Sequence, residues 1–129
     1  MSQTIEVPGW PRPRGYANGM RATGELLAVA GQIGWDERGV LREGFVPQLE
    51  QALTNVVTVV RAAGGTPKDL ISLTIYVTDR VEYSTALAEV GAAYRRVMGA
   101  HYPAMALVMV AGLLEPAAKV EIQGLAVLP

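Results

Sequence analysis

The sequence predicts an α+β domain, a mixed β-sheet with two α-helices packed on one of its faces. Three observations predict it. Leu49, Leu53, Val56, Val60 and Ala63 recur at steps of three and four, one apolar stripe of a helix. Tyr83, Leu87, Val90, Tyr94 and Val97 form a second such stripe. Between them Ile71, Leu73, Ile75 and Val77 alternate with Ser72, Thr74, Tyr76 and Thr78, the period of a strand with one face in a core. A single sheet covered on one face buries both stripes.

The remaining elements follow in order. Residues 8–19 hold six Pro and Gly residues, which remove donors and fix or free φ, so residues 1–19 are expected as an irregular arm. Residues 26–31 are a short apolar run bounded by Gly24 and Gly31, the pattern of a buried strand. A polar loop with turn residues Asp36 and Gly39 spans 34–44. Pro47 opens the first helix, where its missing N–H costs nothing, and Gly64-Gly65 closes it. Thr66 is the expected cap of a single helical turn over 67–69. Asp79 and Glu82 have the spacing of a capping box for the second helix, which runs to Gly99. Strands over about 104–110 and 119–127 close the chain, and the last is expected to lie beside its predecessor in sequence.

Bulk properties set outer limits. A chain of 129 residues suits one domain, spanning 1–129, with one sizeable core. Half of its residues are hydrophobic and mean hydropathy is +0.24, apolar enough to suggest a covered subunit interface. A net charge of −1 gives no general pull on nucleic acid or anionic lipid. The absence of cysteine removes disulfides, thiolate nucleophiles and zinc–sulfur sites. The N-terminal residues lack the pattern of a signal peptide, and no apolar run approaches a membrane span, so a cytoplasmic location is expected.

The inventory of reactive groups is short. His101 is the only histidine, and without a nucleophile elbow or a second proton-transfer group it supports neither a serine triad nor a histidine-type ribonuclease. A loop histidine beside Pro103 is the plainer reading. No histidine–carboxylate spacing suggests a metal. Arg12, Arg14 and Arg21 flank Trp10 and Tyr16, a mixture that touches RNA in some proteins but reads more simply as a solvated arm. Glu121, between Val120 and Ile122 with Gln123 on its own face, is a carboxylate on an otherwise apolar strand. Such a group is costly to bury alone, so it either sits at a wet edge or lines a pocket.

Several strings, in this order, resemble the Rid (YjgF) family. Residues 27–33, Leu-Ala-Val-Ala-Gly-Gln-Ile, are similar to its second-strand signature, and residues 48–55 to its first helix. Ala62-Ala63-Gly64-Gly65 and the strand to Asp79 match the helix end and third strand. Tyr102-Pro103-Ala104 stands before the family's key strand, and Val120-Glu121-Ile122 matches its closing motif. The resemblance runs from about Tyr16 to Val127. It implies a chorismate-mutase-like fold and a homotrimer around a barrel-like core, with small-molecule pockets between neighbours. It also implies cofactor-independent hydrolysis of enamines and imines to 2-keto acids and ammonia.

The same resemblance locates the site. Tyr16 matches an early pocket tyrosine, although Arg14-Gly15-Tyr16-Ala17-Asn18 replaces the usual Gly-Pro-Tyr-Ser. Gly31 is kept, as is Glu121, which in the family helps to place the attacking water. The arginine that follows Pro-Ala and clamps the substrate carboxylate is Met105 here, with Leu107 and Met109 further along the strand. A thioether cannot hold a carboxylate, and loss of such a pair in a dry pocket weakens binding roughly a hundredfold. The second helix is about one turn longer than the family's. Glu121 therefore favours a deaminase-type hydrolase with a less acidic or aromatic substrate, its pocket lined by Met105, Leu107 and Met109. Met105 favours a non-catalytic trimer that binds a metabolite or partner protein. The endoribonuclease label also attached to the family is disfavoured by the single histidine.

Overall fold

The computed structural model describes residues 2–129. Strands β1 (Gln3–Thr4) and β2 (Met20–Arg21) pair with each other. Then come β3 (Glu25–Gln32), α1 (Phe45–Ala62), a 3₁₀ turn (Pro67–Asp69), β4 (Leu70–Val77), α2 (Arg80–Ser84), α3 (Leu87–Met98), β5 (Ala104–Met109) and β6 (Val120–Leu128). The four long strands form one sheet in the order β3-β6-β4-β5. The first two pairings are antiparallel and β4–β5 is parallel, so the sheet is mixed, as expected.

Helices α1 and α3 pack against each other, and α1 also lies on β3 and β6. The α1 stripe is buried through Leu49, Leu53, Val56 and Val60, and it meets Leu73, Val77, Val120 and Ile122 of the sheet. No helix covers the other sheet face, where Leu26, Leu125 and Val108 are 66%, 40% and 40% exposed. None of the described helices is long and apolar enough to cross a membrane.

Four sequence expectations are corrected. The N-terminal arm is not irregular throughout: Gln3 and Thr4 pair with Arg21 and Met20, and the Ile5 N–H donates to Gly19 O at 2.9 Å. Helix α1 starts at Phe45, two residues before Pro47, which still costs nothing because the first-turn N–H groups have no helical acceptor. Thr66 is the N-cap of the 3₁₀ turn, as expected, and its N–H donates to Asp69 Oδ2 at 2.8 Å as one half of a capping box. The second helix is two helices. Asp79 caps α2 by accepting from the Glu82 N–H at 3.1 Å, and the segment ends at Ser84, where the Ser84 and Thr85 hydroxyls both donate back to Val81 O. A new helix starts after Ala86.

The last correction concerns β6. It lies between β3 and β4, not beside β5. A nine-residue strand whose alternate residues Val120, Ile122, Gly124, Ala126 and Leu128 are buried pairs along both of its edges. Gly124 suits that central place because a Cβ there would press on Leu70 and Leu73 at 3.1 and 3.2 Å. A register shift between Leu70 and Ser72 also puts Leu70 in the core and leaves Ile71 half-buried.

One polar side chain is buried inside this packing. Gln48 on α1 is 2% exposed. Its Nε2 donates to Arg42 O at 2.9 Å and Ala117 O at 3.2 Å, and its Oε1 accepts from the Lys119 N–H at 2.8 Å. One amide thus joins the helix to the loop before it and to the turn that leads into β6. Gln51 and Asn55 extend the same helix edge. Asn55 Nδ2 donates to Ile33 O at 3.1 Å and Trp35 O at 2.8 Å, while Gln51 accepts from Arg42 Nε.

Gln48→Leu keeps the volume but leaves three backbone groups without partners. It is expected to destabilise the domain by about 2–4 kcal/mol, since each orphaned buried group costs ~1–3 kcal/mol and some regain water. Urea unfolding of the variant measures this, and a loss below about 0.5 kcal/mol, the range of an ordinary surface substitution, refutes it.

Candidate functional site

The arm reaches the sheet at one point. The Ala17 N–H donates to Pro103 O at 3.1 Å, and Ala17 bridges Ala104 in parallel fashion. Ala17 is buried there, which holds Tyr16 and Arg14 at the start of β5. Strand alternation points Met105 and Leu107 toward the helices and Ala106 and Val108 away from them.

Between β5 and the α2–α3 segment lies a cavity of about 360 Å³ lined by Tyr16, Met105 and Leu107. Its floor is apolar, made by Leu49, Leu53, Ile75 and Ile122. The opposite wall is Tyr83, Leu87, Val90, Gly91 and Tyr94, with Tyr102 beside it and Arg14 as the one charged lining residue. The break at Thr85 and Ala86 separates Tyr83 from Leu87, and both reach the same space. Met109 does not join this lining, and its side chain stays partly exposed at the end of the strand.

The aromatic side of the cavity is firmly built. Tyr94 and Tyr102 stack with ring centroids 5.0 Å apart and 9° between planes. Tyr83 meets Phe45 edge-on at 6.3 Å. The Tyr94 hydroxyl donates to His101 O at 2.6 Å, and burial, helped by neighbouring Tyr102, holds its proton far above the usual phenol range. It is a structural donor. His101 is occupied too: its Nε2 lies 2.7 Å from Leu70 O, and because a carbonyl only accepts, Nε2 carries the hydrogen. The loop-histidine reading therefore holds.

Gly31 and Glu121 are elsewhere. Glu121 projects from the sheet face opposite Met105, because its neighbours Val120 and Ile122 point into the core. It pairs in register with Tyr76 of β4. With Gly31, Gln32, Ile33, Trp35, Leu114 and Glu115 it lines an open depression of about 390 Å³. Its carboxylate makes no hydrogen bond or ion pair with the described residues. Gly31 permits this arrangement, since a Cβ there would fall on the Glu121 carboxylate. Within one chain, then, the sequence-predicted residues form two groups: Tyr16, Met105 and Leu107 in the cavity, Gly31 and Glu121 in the depression. Among the described residues no group of three His, Asp or Glu side chains is arranged to hold a metal ion.

Tyr83, Leu87, Val90 and Tyr94 were legible in the sequence only as a core-facing stripe. Their helical spacing is the same whether the stripe meets a sheet or a cavity. The signal for a cavity was the composition of the stripe and its flank, where Tyr83, Tyr94 and Tyr102 put three hydroxyl-bearing rings in twenty residues.

A mixed sheet with helices on one face, a cavity beside the edge strand β5 and a carboxylate on the bare face define a Rid-type domain. The chain belongs to the Endoribonuclease L-PSP family, which is the Rid (YjgF) family, matching its model over residues 11–128. It is 33% identical over 132 aligned positions to the 2-iminobutanoate/2-iminopropanoate deaminase of Salmonella typhimurium, covering 98% of each chain. A protein of the conserved Rid family from Yersinia pestis superposes with a TM-score of 0.87 at 28% identity, covering 98% of both chains. RidA from an Antarctic Psychrobacter superposes with a TM-score of 0.71 at 30% identity, over 98% and 99% of the two chains.

Two glycine substitutions separate site from scaffold. In Gly31→Ala the new methyl meets only the mobile end of Glu121, so stability is expected to change by less than about 1 kcal/mol. In Gly34→Ala it meets the Gln48 backbone, with Cα at 2.6 Å and O at 2.9 Å, and a loss of about 1–3 kcal/mol is expected. Chemical denaturation of both variants checks the order, which fails if Gly31→Ala is the more damaging.

Proposed function

We propose that the protein is a cofactor-independent imine or enamine hydrolase whose substrate carries a larger and more apolar side chain than 2-iminobutanoate. The observation that carries the reading is the lining of the β5 cavity. Met105 and Leu107 face it, Leu and Ile side chains floor it, and no cation stands at the Met105 position. Relatives named as 2-iminobutanoate/2-iminopropanoate deaminases support the reaction class.

In the proposed reaction the Glu121 carboxylate accepts a proton from water as the oxygen adds to the imine carbon. The proton passes to nitrogen, and the carbinolamine collapses to a carbonyl with release of ammonia. Glu121 and Met105 lie on opposite sheet faces of one chain, so this chemistry requires two chains, the carboxylate of one beside the cavity of its neighbour. We therefore propose the homotrimer that the family resemblance implies. The bare sheet face, with Leu26, Val108 and Leu125 exposed, supports it. Light scattering at micromolar concentration is expected to give three times the 13.7 kDa chain mass, and a monomer mass overturns the shared-site reading.

A second reading, a non-catalytic trimer that binds a metabolite, is favoured by the missing clamp at Met105. An endoribonuclease is disfavoured, because His101 is engaged with Leu70 O. Coupled assays distinguish the first two. Imines formed from phenylalanine and from 2-aminobutyrate by an amino-acid oxidase are offered in turn, and keto-acid release is followed. The phenylalanine imine is expected to be hydrolysed faster, with Glu121→Gln losing about a hundredfold or more, the scale of a general base. No acceleration of either imine moves the assignment to the binding protein.

Met105→Arg is the complementary test. It places a guanidinium in the cavity, where the lining offers no carboxylate partner. A gain of about tenfold in affinity for 2-ketobutyrate, ~1.4 kcal/mol, is expected by calorimetric titration. Thermal stability should fall, since the unliganded charge is unpaired. A folded variant with no gain shows that more of the pocket than this one position has changed.

A further inference from the structure

The β5 cavity has a charge imbalance that its apolar floor conceals. Arg14 is its only charged lining residue, and no acidic side chain lines it. Arg14 also makes no ion pair or side-chain hydrogen bond among the described residues, whereas Arg21, Arg42 and Arg96 are bonded to Gln3, Gln51 and Glu50. The hydroxyls of Tyr16, Tyr83 and Tyr102, all on the cavity lining, likewise have no protein partner. Unspent donors thus gather around a space whose floor is hydrocarbon.

The position of Arg14 is not that of a loose arm. Pro13 before it has a fixed φ, and three residues later Ala17 is locked to Pro103 and Ala104. The guanidinium is exposed, so it marks the mouth of the cavity, while Met105 and Leu107 line the interior. A guanidinium presents a planar fork that matches a carboxylate. A ligand that satisfies both ends is amphipathic, with an acid group at the mouth and an apolar body inside.

We propose that Arg14 is the carboxylate-binding and specificity-determining residue of this cavity, and that its ligand is a monoanionic acid with an aryl or branched alkyl body. The body lies against Met105, Leu107 and the tyrosine wall. The acid stays at the rim, with the free tyrosine hydroxyls in reach. This rests on the reading of the cavity as the substrate pocket. It explains how a pocket without a cation at position 105 still takes an acid, and it excludes short acids such as 2-ketobutyrate, which cannot fill the floor while touching Arg14.

The test is direct binding, independent of hydrolysis. The full-length protein is titrated calorimetrically with phenylpyruvate, with phenylacetone (the same body without the carboxylate) and with 2-ketobutyrate. Phenylpyruvate is expected to bind about tenfold tighter than either of the others at low salt, the scale of one charge-assisted hydrogen-bonded contact at a partly exposed site. The preference over phenylacetone should shrink as salt rises. Arg14→Gln should abolish that preference while leaving phenylacetone affinity unchanged, and Arg14→Lys should retain part of it. The proposal is overturned if phenylacetone binds as tightly as phenylpyruvate, if Arg14→Gln keeps the preference, or if none of the three binds. Because Arg14 is exposed and unpaired, its variants should melt with the parent protein; should one not fold, the salt dependence of the parent's preference decides. A protein that binds phenylpyruvate through Arg14 but hydrolyses no imine upholds this assignment and rejects the hydrolase. Hydrolysis of the phenylalanine imine that ignores Arg14 does the reverse.

Discussion

The buried amide of Gln48 is the constraint on which the rest of the domain is arranged. It saturates three backbone groups, from residues 42, 117 and 119, that no strand or helix satisfies. A single primary amide carries both donors and acceptors, so it can bridge two carbonyls and an N–H at once, which neither a hydroxyl nor a carboxylate can do. Gly34 lets the loop backbone lie directly on Gln48, and Asn55, two helical turns later, binds that loop again. The consequence reaches the open depression. Ile33 and Trp35 are held by Asn55, the turn before β6 is held by Gln48, and Glu121 stands between them on β6.

The sheet, in turn, divides the chemistry. Its helix-covered face carries the cavity and its bare face carries the carboxylate. The strand separating them, β4, presents Ile75 to the cavity and Tyr76 to Glu121. A side-chain period of two makes this division unavoidable for residues on neighbouring strands of one sheet. An active site that needs both groups is then a matter of assembly and not of any loop movement within the chain. The remaining surface charge has modest work. Arg96 on α3 reaches Glu50 on α1 at 2.7 Å and holds its carboxyl below the ordinary range, a surface pair that ties the two helices together.

Much of the fold was legible because the relevant signals are periodic. The stripe at Leu49–Val60 and the alternation from Leu73 to Val77 each report one buried face of one element, whereas the stripe at Tyr83–Val97 spans two helices and leaves Leu87 exposed. What failed was what periodicity does not encode. Chain order does not say that β6 crosses over β4 to pair with β3. Spacing does not reveal that the second helix is divided between Ser84 and Leu87. Of the site residues, Met105, Leu107 and Tyr16 line one cavity, while Gly31 and Glu121 line a depression on the other sheet face. Met109 falls outside because the cavity ends before the strand does, and the place of Arg14 depended on the Ala17–Pro103 contact, between residues distant in sequence.

The pairing of β3 has a kinetic consequence. Its only partner in the sheet is β6, with Glu25 opposite Leu128 and Val29 opposite Gly124. The first long strand to emerge from the ribosome therefore waits for the last. At roughly 5–20 residues per second of synthesis, that interval is on the order of ten seconds. Throughout it Val29 and Leu27 have no strand beside them, and α1 alone can shield them. Closing a loop of that length is entropically slow, so completion of the sheet is set by contact order and not by the fast formation of its helices. Until β6 is made, β3 has no strand paired along either of its edges.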